Sequence, residues 1–398
     1  MLLLLPLLFS LSTVINCRNI FEHNQQVFAP NMTNTEDLRS SSQGAFEDRF
    51  ATQYGQRWHS TLLPALKAEN RHAALYNRYA PLEDFHRIVG PPDSLQRVHF
   101  PSVEDDIQAD NLLCFTRKQD YESNTATIPA ASKASKSILT HSLVDAASVL
   151  AIHILQVVPG DNVLDLCGGQ GGNSITLAQP IWPSLYSDST TPPMMGAKKG
   201  TLQPNQLDSE YDVIFYMPPS IMHSEQLWFS HLDGTKGARH LPLGPGGYDK
   251  VLVDAPSSDE RRVVQAQAKA VPGQNSRELR NWDVSSSQNM AEVQVKLLVT
   301  ALKAVRIGGR VVYSTRSLSK EENDDVVVKA LALVEEEAKK GDLLWTAEVE
   351  HLDGEVERRL DADWAEKTAK GWAVLPDHPG GGKWGPLYFS VLTKKSST

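Results

Sequence analysis

Two short stretches concentrate the residues that could do chemistry, Val253-Asp254-Ala255-Pro256-Ser257 and Tyr313-Ser314-Thr315-Arg316-Ser317. A third, from Val163 to Asn173, holds the run Gly168-Gly169-Gln170-Gly171-Gly172. A glycine-rich turn between a strand and a helix N-terminus lets a ligand approach the backbone, where free N–H groups and the helix dipole favour negative charge. Asp188, Asp233 and Asp254 follow in order at the ends of successive expected strands. A carboxylate accepts two hydrogen bonds at once and suits vicinal hydroxyls; its plainer use at a strand end is to cap a turn or a helix. Ser257 is a weak nucleophile with no adjacent His to activate it. The Arg316 guanidinium is always protonated and cannot attack; it suits a phosphate, or an ion pair with Asp254 or Glu321.

These residues need a frame, and the hydrophobic pattern supplies one. Val251-Leu252-Val253 and Arg310-Val311-Val312-Tyr313 are short apolar runs of buried-strand character. Asn162 to Asp165 reads as a strand, with a helix beginning near Ser174. Leu139 to Val158 predicts a helix closed by Pro159-Gly160, and Gln288 to Val305 predicts another. Ser319 and Glu322 have the spacing of a capping box for a following helix. Leu185-Asp188, Leu227-Ser230 and Gly385-Leu392 are further strands, and the β-branched content of Tyr211 to Met217 favours a strand there. Phe46 to Glu83 has helical spacing broken at Pro64, and Thr116 to Ser137 is a polar linker. Strands alternating with helices imply an α/β fold with a mainly parallel sheet and helices on both faces.

The net charge is −9, of which −8 falls between Lys320 and Lys370. The acidity is therefore local, in solvated helix faces, and leaves room for basic surface elsewhere, such as Arg261, Arg262, Lys269, Arg277 and Arg280. Cys17, Cys114 and Cys167 offer no paired framework and no zinc spacing, so no metal is expected. No run of about 20 apolar residues lies beyond the first few positions, which excludes a multi-pass membrane protein. Residues 1–25 form a hydrophobic leader, either a signal-like core without its basic flank or the product of a mis-assigned start.

The motif order resembles the Sun-domain (RsmB-type) RNA cytosine-5 methyltransferases, through Val163 to Gly172, Asp254-Ala255-Pro256, Tyr313 to Ser317 and the closing Gly385-Pro386-Leu387-Tyr388-Phe389. The resemblance covers about Leu139 to Lys394. Phe50 to Leu82, with Gln53-Tyr54-Gly55 and Trp58, also resembles the N-terminal helical extension of the mitochondrial members. It implies a Rossmann-like class I methyltransferase with a seven-stranded sheet, occupying residues 138–396 behind an extension and linker at 26–137. Family register places a helix near Tyr211 to Met217.

The implied cofactor is S-adenosylmethionine, held by Cys167, Gly168, Gly169, Gly171, Gly172, Asn173, Asp188, Asp233, Gly234 and Asp254. Asp188 would take the ribose, Asp233 the adenine, and Asp254 the methyl-donor end and target base. The implied partners are rRNA or tRNA and a ribosome-assembly protein, in mitochondria. The departures are chemical. Ser257 and Arg316 stand where the family carries its two cysteines, Asn173 replaces a lysine, and an arginine is missing after Asp188. Cytosine-5 methylation needs a thiolate to add at C6. The expectation is an RNA-binding member with impaired or lost catalysis; the alternative is an active methyltransferase with non-cysteine chemistry or another acceptor atom. Cys114 is the remaining thiol that geometry would have to bring near.

Overall fold

The computed structural model describes residues 35–102, 112–118, 128–131, 139–169, 171–181, 213–217, 226–230, 232–241, 246–380 and 382–397. The hydrophobic leader, the strand expected at Leu185-Asp188 and Asp188 itself lie outside them. Among the described residues no helix is long and apolar enough to cross a membrane, and no group of three or more His, Cys, Asp or Glu is arranged to hold a metal.

The described residues begin with α1 (Thr35–Tyr54), a π-helical turn at Trp58–Leu62 and α2 (Leu63–Lys67). Phe46, Phe50, Trp58, Leu62 and Leu66 fall on one side and are buried against Val263, Val264, Leu279, Trp282 and Leu318. The helical spacing read from Phe46 onward thus marks a docking face. It ends sooner than expected, because β1 (Ala73–Tyr76) is a strand. After α3 (Leu82–Val89), β2 (Leu95–Arg97), β3 (Cys114–Arg117) and β4 (His141–Val144) complete an antiparallel sheet of order β2-β3-β1-β4. The extension is therefore helix plus sheet. The division expected at residue 138 falls just ahead of β4, whose partner is β1.

The helix expected from Leu139 starts only at Ala146. Asp145 caps α4 (Ala146–Leu155) by accepting the Ala147 N–H at 2.9 Å, and the four residues before it, His141–Val144, join the small sheet. Nine of the ten α4 residues are buried, as a helix enclosed on all sides requires. One side meets Ala73, Leu75 and Cys114 of the small sheet, the other Leu252, Val312 and Phe389 of the main one.

The main sheet contains β5 (Val163–Asp165), which leads into α5 (Gly172–Ile181), then β6 (Val213–Met217), β7 (Gln226–Ser230) and β8 (Tyr248–Asp254). Next come α6 (Glu260–Ala268), α7 (Arg277–Arg280), α8 (Val284–Ala304) and β9 (Val305–Thr315). The chain closes with α9 (Asp324–Lys339), β10 (Trp345–Val349), α10 (Gly354–Asp363), β11 (Glu366–Lys367), β12 (Trp372–Val374) and β13 (Leu387–Ser396).

The α/β class stands, with one correction to the expected mainly parallel seven-stranded sheet. Among the described residues nine strands, in the order β11-β12-β13-β9-β8-β5-β6-β7 with β10 on β13, form a mixed sheet in which β5–β8 and β8–β9 pair in parallel and the other pairings are antiparallel. The added antiparallel pairings come from short C-terminal returns and from β6, a strand where family register implied a helix. The three parallel strands are the ones that matter for the site. On β8 and β9, Leu252 and Val312 face α4 while Val251, Val253, Val311 and Tyr313 face α8 and α9, so helices cover both faces.

Candidate functional site

Parallel pairing brings the carboxyl ends of β5, β8 and β9 to one edge, at Asp165, Asp254 and Thr315. β7 runs antiparallel to β6, which runs antiparallel to β5, so the chain leaving Ser230 toward Asp233 emerges at that same edge. Of the expected aspartates, the structure gathers Asp233 and Asp254 here.

The glycine loop starts beneath the edge. Leu166 N–H bonds the Leu252 carbonyl at 2.9 Å, which ties the loop to β8, and Gly171 N–H returns to Gly168 O at 2.8 Å. Gly169 and Gly171 take φ of 47° and 85°, the left-handed region that L side chains avoid. A Cβ added at Gly169 or Gly172 would meet nothing within 4 Å, so the loop borders open space. Cys167 turns inward and packs with Leu164, Leu166 and Val253.

Asp165, fully buried at the end of β5, accepts from Ser174 Oγ at 2.8 Å through one oxygen, while Oδ1 has no hydrogen-bond partner among the described residues. Burial first, and then the Asp254 charge, push its carboxyl up to about 7. Asp165 is not among the residues expected at the site, although it carries the same strand-end signal as the other aspartates.

Asn173 points onto the sheet edge. Its Nδ2 donates to Asp254 Oδ2 at 2.7 Å, and Ser314 Oγ donates to Asp254 Oδ1 at 3.0 Å. One carboxylate thus joins the head of α5, β8 and the end of β9. Asp233 instead serves its own turn, accepting the Thr235 N–H at 3.0 Å and the Thr235 hydroxyl at 2.6 Å. The Thr235 bonds hold its carboxyl below the usual range against slight desolvation, with help from Lys236 and Lys296. Gly234 is buried because a Cβ there would lie 2.9 Å from Leu297 and 3.2 Å from Leu166.

Ser257 and Arg316 meet directly: Ser257 Oγ accepts the Arg316 backbone N–H at 3.1 Å. The guanidinium does not pair with Glu321, which is taken by Arg49; it reaches Ser148 Oγ at 3.3 Å on α4. Desolvation acts against its charge, and Asp254, Asp145 and Asp259 overcome that, so it stays a firm cation. Arg316 is exposed, yet Thr315, Ser317, Leu318 and Ser319 around it are each no more than 2% exposed.

The frame beneath is denser than the sequence suggested. Ser319 and Glu322 do not form a capping box, because a short 3₁₀ turn at Lys320–Glu322 precedes α9 and Ser319 makes no cap bond. Glu322 is buried and accepts from Ser258 N–H (3.1 Å), Ser287 Oγ (2.5 Å) and Gln294 Nε2 (3.0 Å). Asn323 Nδ2 holds Ser317 O at 2.9 Å, and Gln53 Nε2 and Tyr54 OH converge on Leu318 O at 2.7 and 3.1 Å. Arg261 is no part of a basic surface: it is buried and donates to the carbonyls of Gly385, Ala68 and Glu69, whereas Arg262, Lys269, Arg277 and Arg280 are exposed. Cys114 sits in the small sheet, and burial pushes its thiol up to about 12. Its thiol is fully buried in the core that the small sheet shares with α4.

Comparison with known proteins agrees with this geometry. Residues 224–359, which hold both loops, match the family description "16S rRNA methyltransferase RsmB/F". The chain is 30% identical over 363 residues to a zebrafish (Danio rerio) mitochondrial tRNA (cytosine(34)-C(5))-methyltransferase, covering 88% of this chain and 86% of the relative. It is 29% identical over 308 residues to the bovine (Bos taurus) 5-cytosine rRNA methyltransferase NSUN4, covering 73% of each. The crystal structure of NSun6 from Pyrococcus horikoshii with SFG shares the fold at a TM-score of 0.51 and 13% identity, over 89% of this chain and 98% of that one. Similarity of this extent, running through both loops and the glycine turn, places the chain in the RsmB/F family of RNA cytosine-5 methyltransferases.

Proposed function

We propose that this chain binds RNA of the ribosomal or transfer class at the carboxyl edge of its sheet and has lost cysteine-dependent methylation of cytosine C5. One observation carries the reading. The Thr315–Ser319 loop is fully framed by buried bonds, yet the side chain it presents is a guanidinium and not a thiol. Covalent activation of cytosine requires a nucleophile at C6. Arg316 cannot serve, the Ser257 hydroxyl already caps the Arg316 N–H, and the buried Cys114 and Cys167 are fixed in packing.

The residues at the edge fit S-adenosylmethionine, the methyl donor of the family. Among the described residues a buried carboxylate oxygen of Asp165 lacks a hydrogen-bond donor, and Gly169 and Gly172 border open space. The Gly168–Gly172 turn and Asp165 would hold the donor, with Asp188 and Asp233 on the ribose and adenine; bound there it would supply an electrophilic methyl group. RNA would meet Arg316 together with Arg262, Lys269, Arg277 and Arg280, whose cations suit phosphates. The name of the zebrafish relative favours mitochondria; a ribosome-assembly protein as partner is proposed from the family resemblance alone.

Two titrations test the reading on the full chain. RNA binding should weaken with salt, and Arg316→Ala should lower the slope of log affinity against log salt by about 1. Calorimetry with S-adenosylmethionine should give binding that Asp188→Ala abolishes. A salt slope unmoved by Arg316→Ala, or methylated nucleosides formed by the purified chain, would overturn it.

A further inference from the structure

Under the two loops lies a cluster that the proposed function does not use. Glu260, the first residue of α6, and Glu322 are both completely buried. Ser258 Oγ lies in hydrogen-bond contact with Glu260 Oε1, with Glu322 Oε1 at 2.5 Å and with Ser317 Oγ at 3.0 Å. A serine hydroxyl has one proton. If both carboxyls were ionised, that proton would satisfy one of them and leave the other facing a lone pair at contact distance. The remaining donors do not resolve the conflict. Leu318 N–H serves Glu260 Oε2 at 2.8 Å, Gln294 and Ser258 N–H serve Glu322 Oε2, and Ser287 Oγ serves Glu322 Oε1; Ser317 Oγ reaches Glu260 Oε1 at 3.2 Å, which leaves the closer contact of that oxygen with Ser258 Oγ still without a proton.

One extra proton resolves it. With Glu260 protonated, its O–H donates to Ser258 Oγ, and the Ser258 O–H donates onward to Glu322. We propose that Glu260 and Glu322 share one proton through Ser258, and that this proton locks the Ser257 loop to the Arg316 loop, which loosen when it is lost. The lock does not depend on what the loops bind; its consequence for RNA rests on the reading above.

The surroundings favour the neutral form. Glu260 is pushed up to about 7, first by burial and then by the Glu322 charge, while Ser258 and Leu318 N–H pull the other way. From α1, Tyr54 faces the pair as a neutral phenol whose own ionisation is pushed well up by burial and Glu260. From β9, the Tyr313 hydroxyl donates to Glu322 O at 2.6 Å. The arginines of the adjoining segments are committed elsewhere: Arg49 to Glu321, Arg57 to Asp377 and Glu366, and Arg261 to carbonyls. Ionisation of Glu260 would therefore place a second buried negative charge beside Glu322 with no cation brought to it.

The bond between Arg316 and Ser317 reports the lock. Trypsin recognises exposed Arg316, but cleavage needs the buried residues around it to leave the fold. Cleavage at this bond, normalised to a reference peptide at each pH, should rise about tenfold from pH 6 to pH 8, as loss of one linked proton requires. Glu260→Gln, neutral at every pH, should remove the rise. Hydrogen exchange on the unaltered protein gives a second readout that needs no variant. Protection of the Leu318 and Ser258 amides, each bonded to one of the two carboxyls, should fall by a similar factor over the same range. Cleavage or protection independent of pH in the unaltered chain, or a rise that persists in Glu260→Gln, would overturn the proposal. Neither measurement contains RNA or a methyl donor, so failure of RNA binding would leave its outcome intact.

Discussion

Asn173 Nδ2 donates to Asp254 Oδ2 at 2.7 Å, so the first turn of α5 is bonded to the end of β8. The lysine expected at this position in the family would face a cofactor; the amide instead completes a carboxylate that Ser314 also serves. Asn173→Ala should leave Asp254 half-satisfied and cost about 1 to 2 kcal/mol, as a lower urea midpoint with an unchanged slope. A cost near zero would mean that water replaces the amide without loss.

Gly234 is a packing glycine. A methyl group there would sit 2.9 Å from Leu297 and 3.2 Å from Leu166, which belongs to the same segment as the glycine turn. Gly234→Ala should cost about 1 to 3 kcal/mol in thermal or chemical unfolding, because α8 or the loop must shift to admit it.

Arg57, just ahead of the Trp58–Leu62 turn, ties the N-terminal helical segment to the C-terminal region. Nε and Nη2 bond the two Asp377 oxygens at 2.8 and 2.7 Å, and Nη1 reaches Glu366 at 2.8 Å. Burial works against the Asp377 carboxylate, but the bonds from Arg57 and Thr61 prevail and hold it below the usual range. A depressed carboxyl contributes stability above its unfolded-state titration that is lost as pH falls through the folded value. Arg57→Ala should strand Asp377 and cost about 2 to 4 kcal/mol at pH 7, measured by denaturant unfolding.

Asp165 and Glu260 act in the opposite sense. Both are raised to about 7, so the folded chain holds more protons than the unfolded one between about pH 4 and 7, and stability should fall as pH rises through that window. Asp165→Asn should remove roughly half of the fall, read from unfolding midpoints between pH 5 and 8, since two groups share it. A fall of unchanged size would locate the titration elsewhere.

The parts of the fold that could be read from sequence are those whose pattern is local. The apolar runs at Val251 and Val311, the glycine turn and the periodicity of α8 each announce their element, and all three fall where expected. Two errors arose where a tertiary partner overrode local pattern. Leu139 to Val144 continues the apolar spacing of α4 but pairs with β1, and only Asp145 marks the true helix start. Ser319 and Glu322 have cap spacing, yet Glu322 is drawn inward by Ser258, Ser287 and Gln294, residues 28 to 64 positions away. Long-range polar networks leave no periodic trace, so Glu260, Ser258 and the Gln53–Tyr54 hold on Leu318 could be found only in the structure.

Restoring one cysteine should not restore the chemistry. Arg316→Cys places a thiol at the loop tip but leaves Ser257 and Asn173 as they are, and Asp254 loses a neighbouring cation. Purified Arg316→Cys with S-adenosylmethionine and RNA should give no 5-methylcytosine above background by nucleoside mass spectrometry. Clear product from this variant would show that the remainder of the site is catalytically complete.

The proposed function has the chain holding RNA without methylating cytosine at C5. The most direct test is to crosslink RNA to the full chain in the presence of S-adenosylmethionine, recover the bound fraction and measure its 5-methylcytosine by mass spectrometry. RNA should be recovered in a salt-dependent amount with 5-methylcytosine no higher than in a control lacking the protein. Protein-dependent 5-methylcytosine in the recovered RNA would contradict it, and would mean that a residue other than a cysteine at Ser257 or Arg316 activates the base.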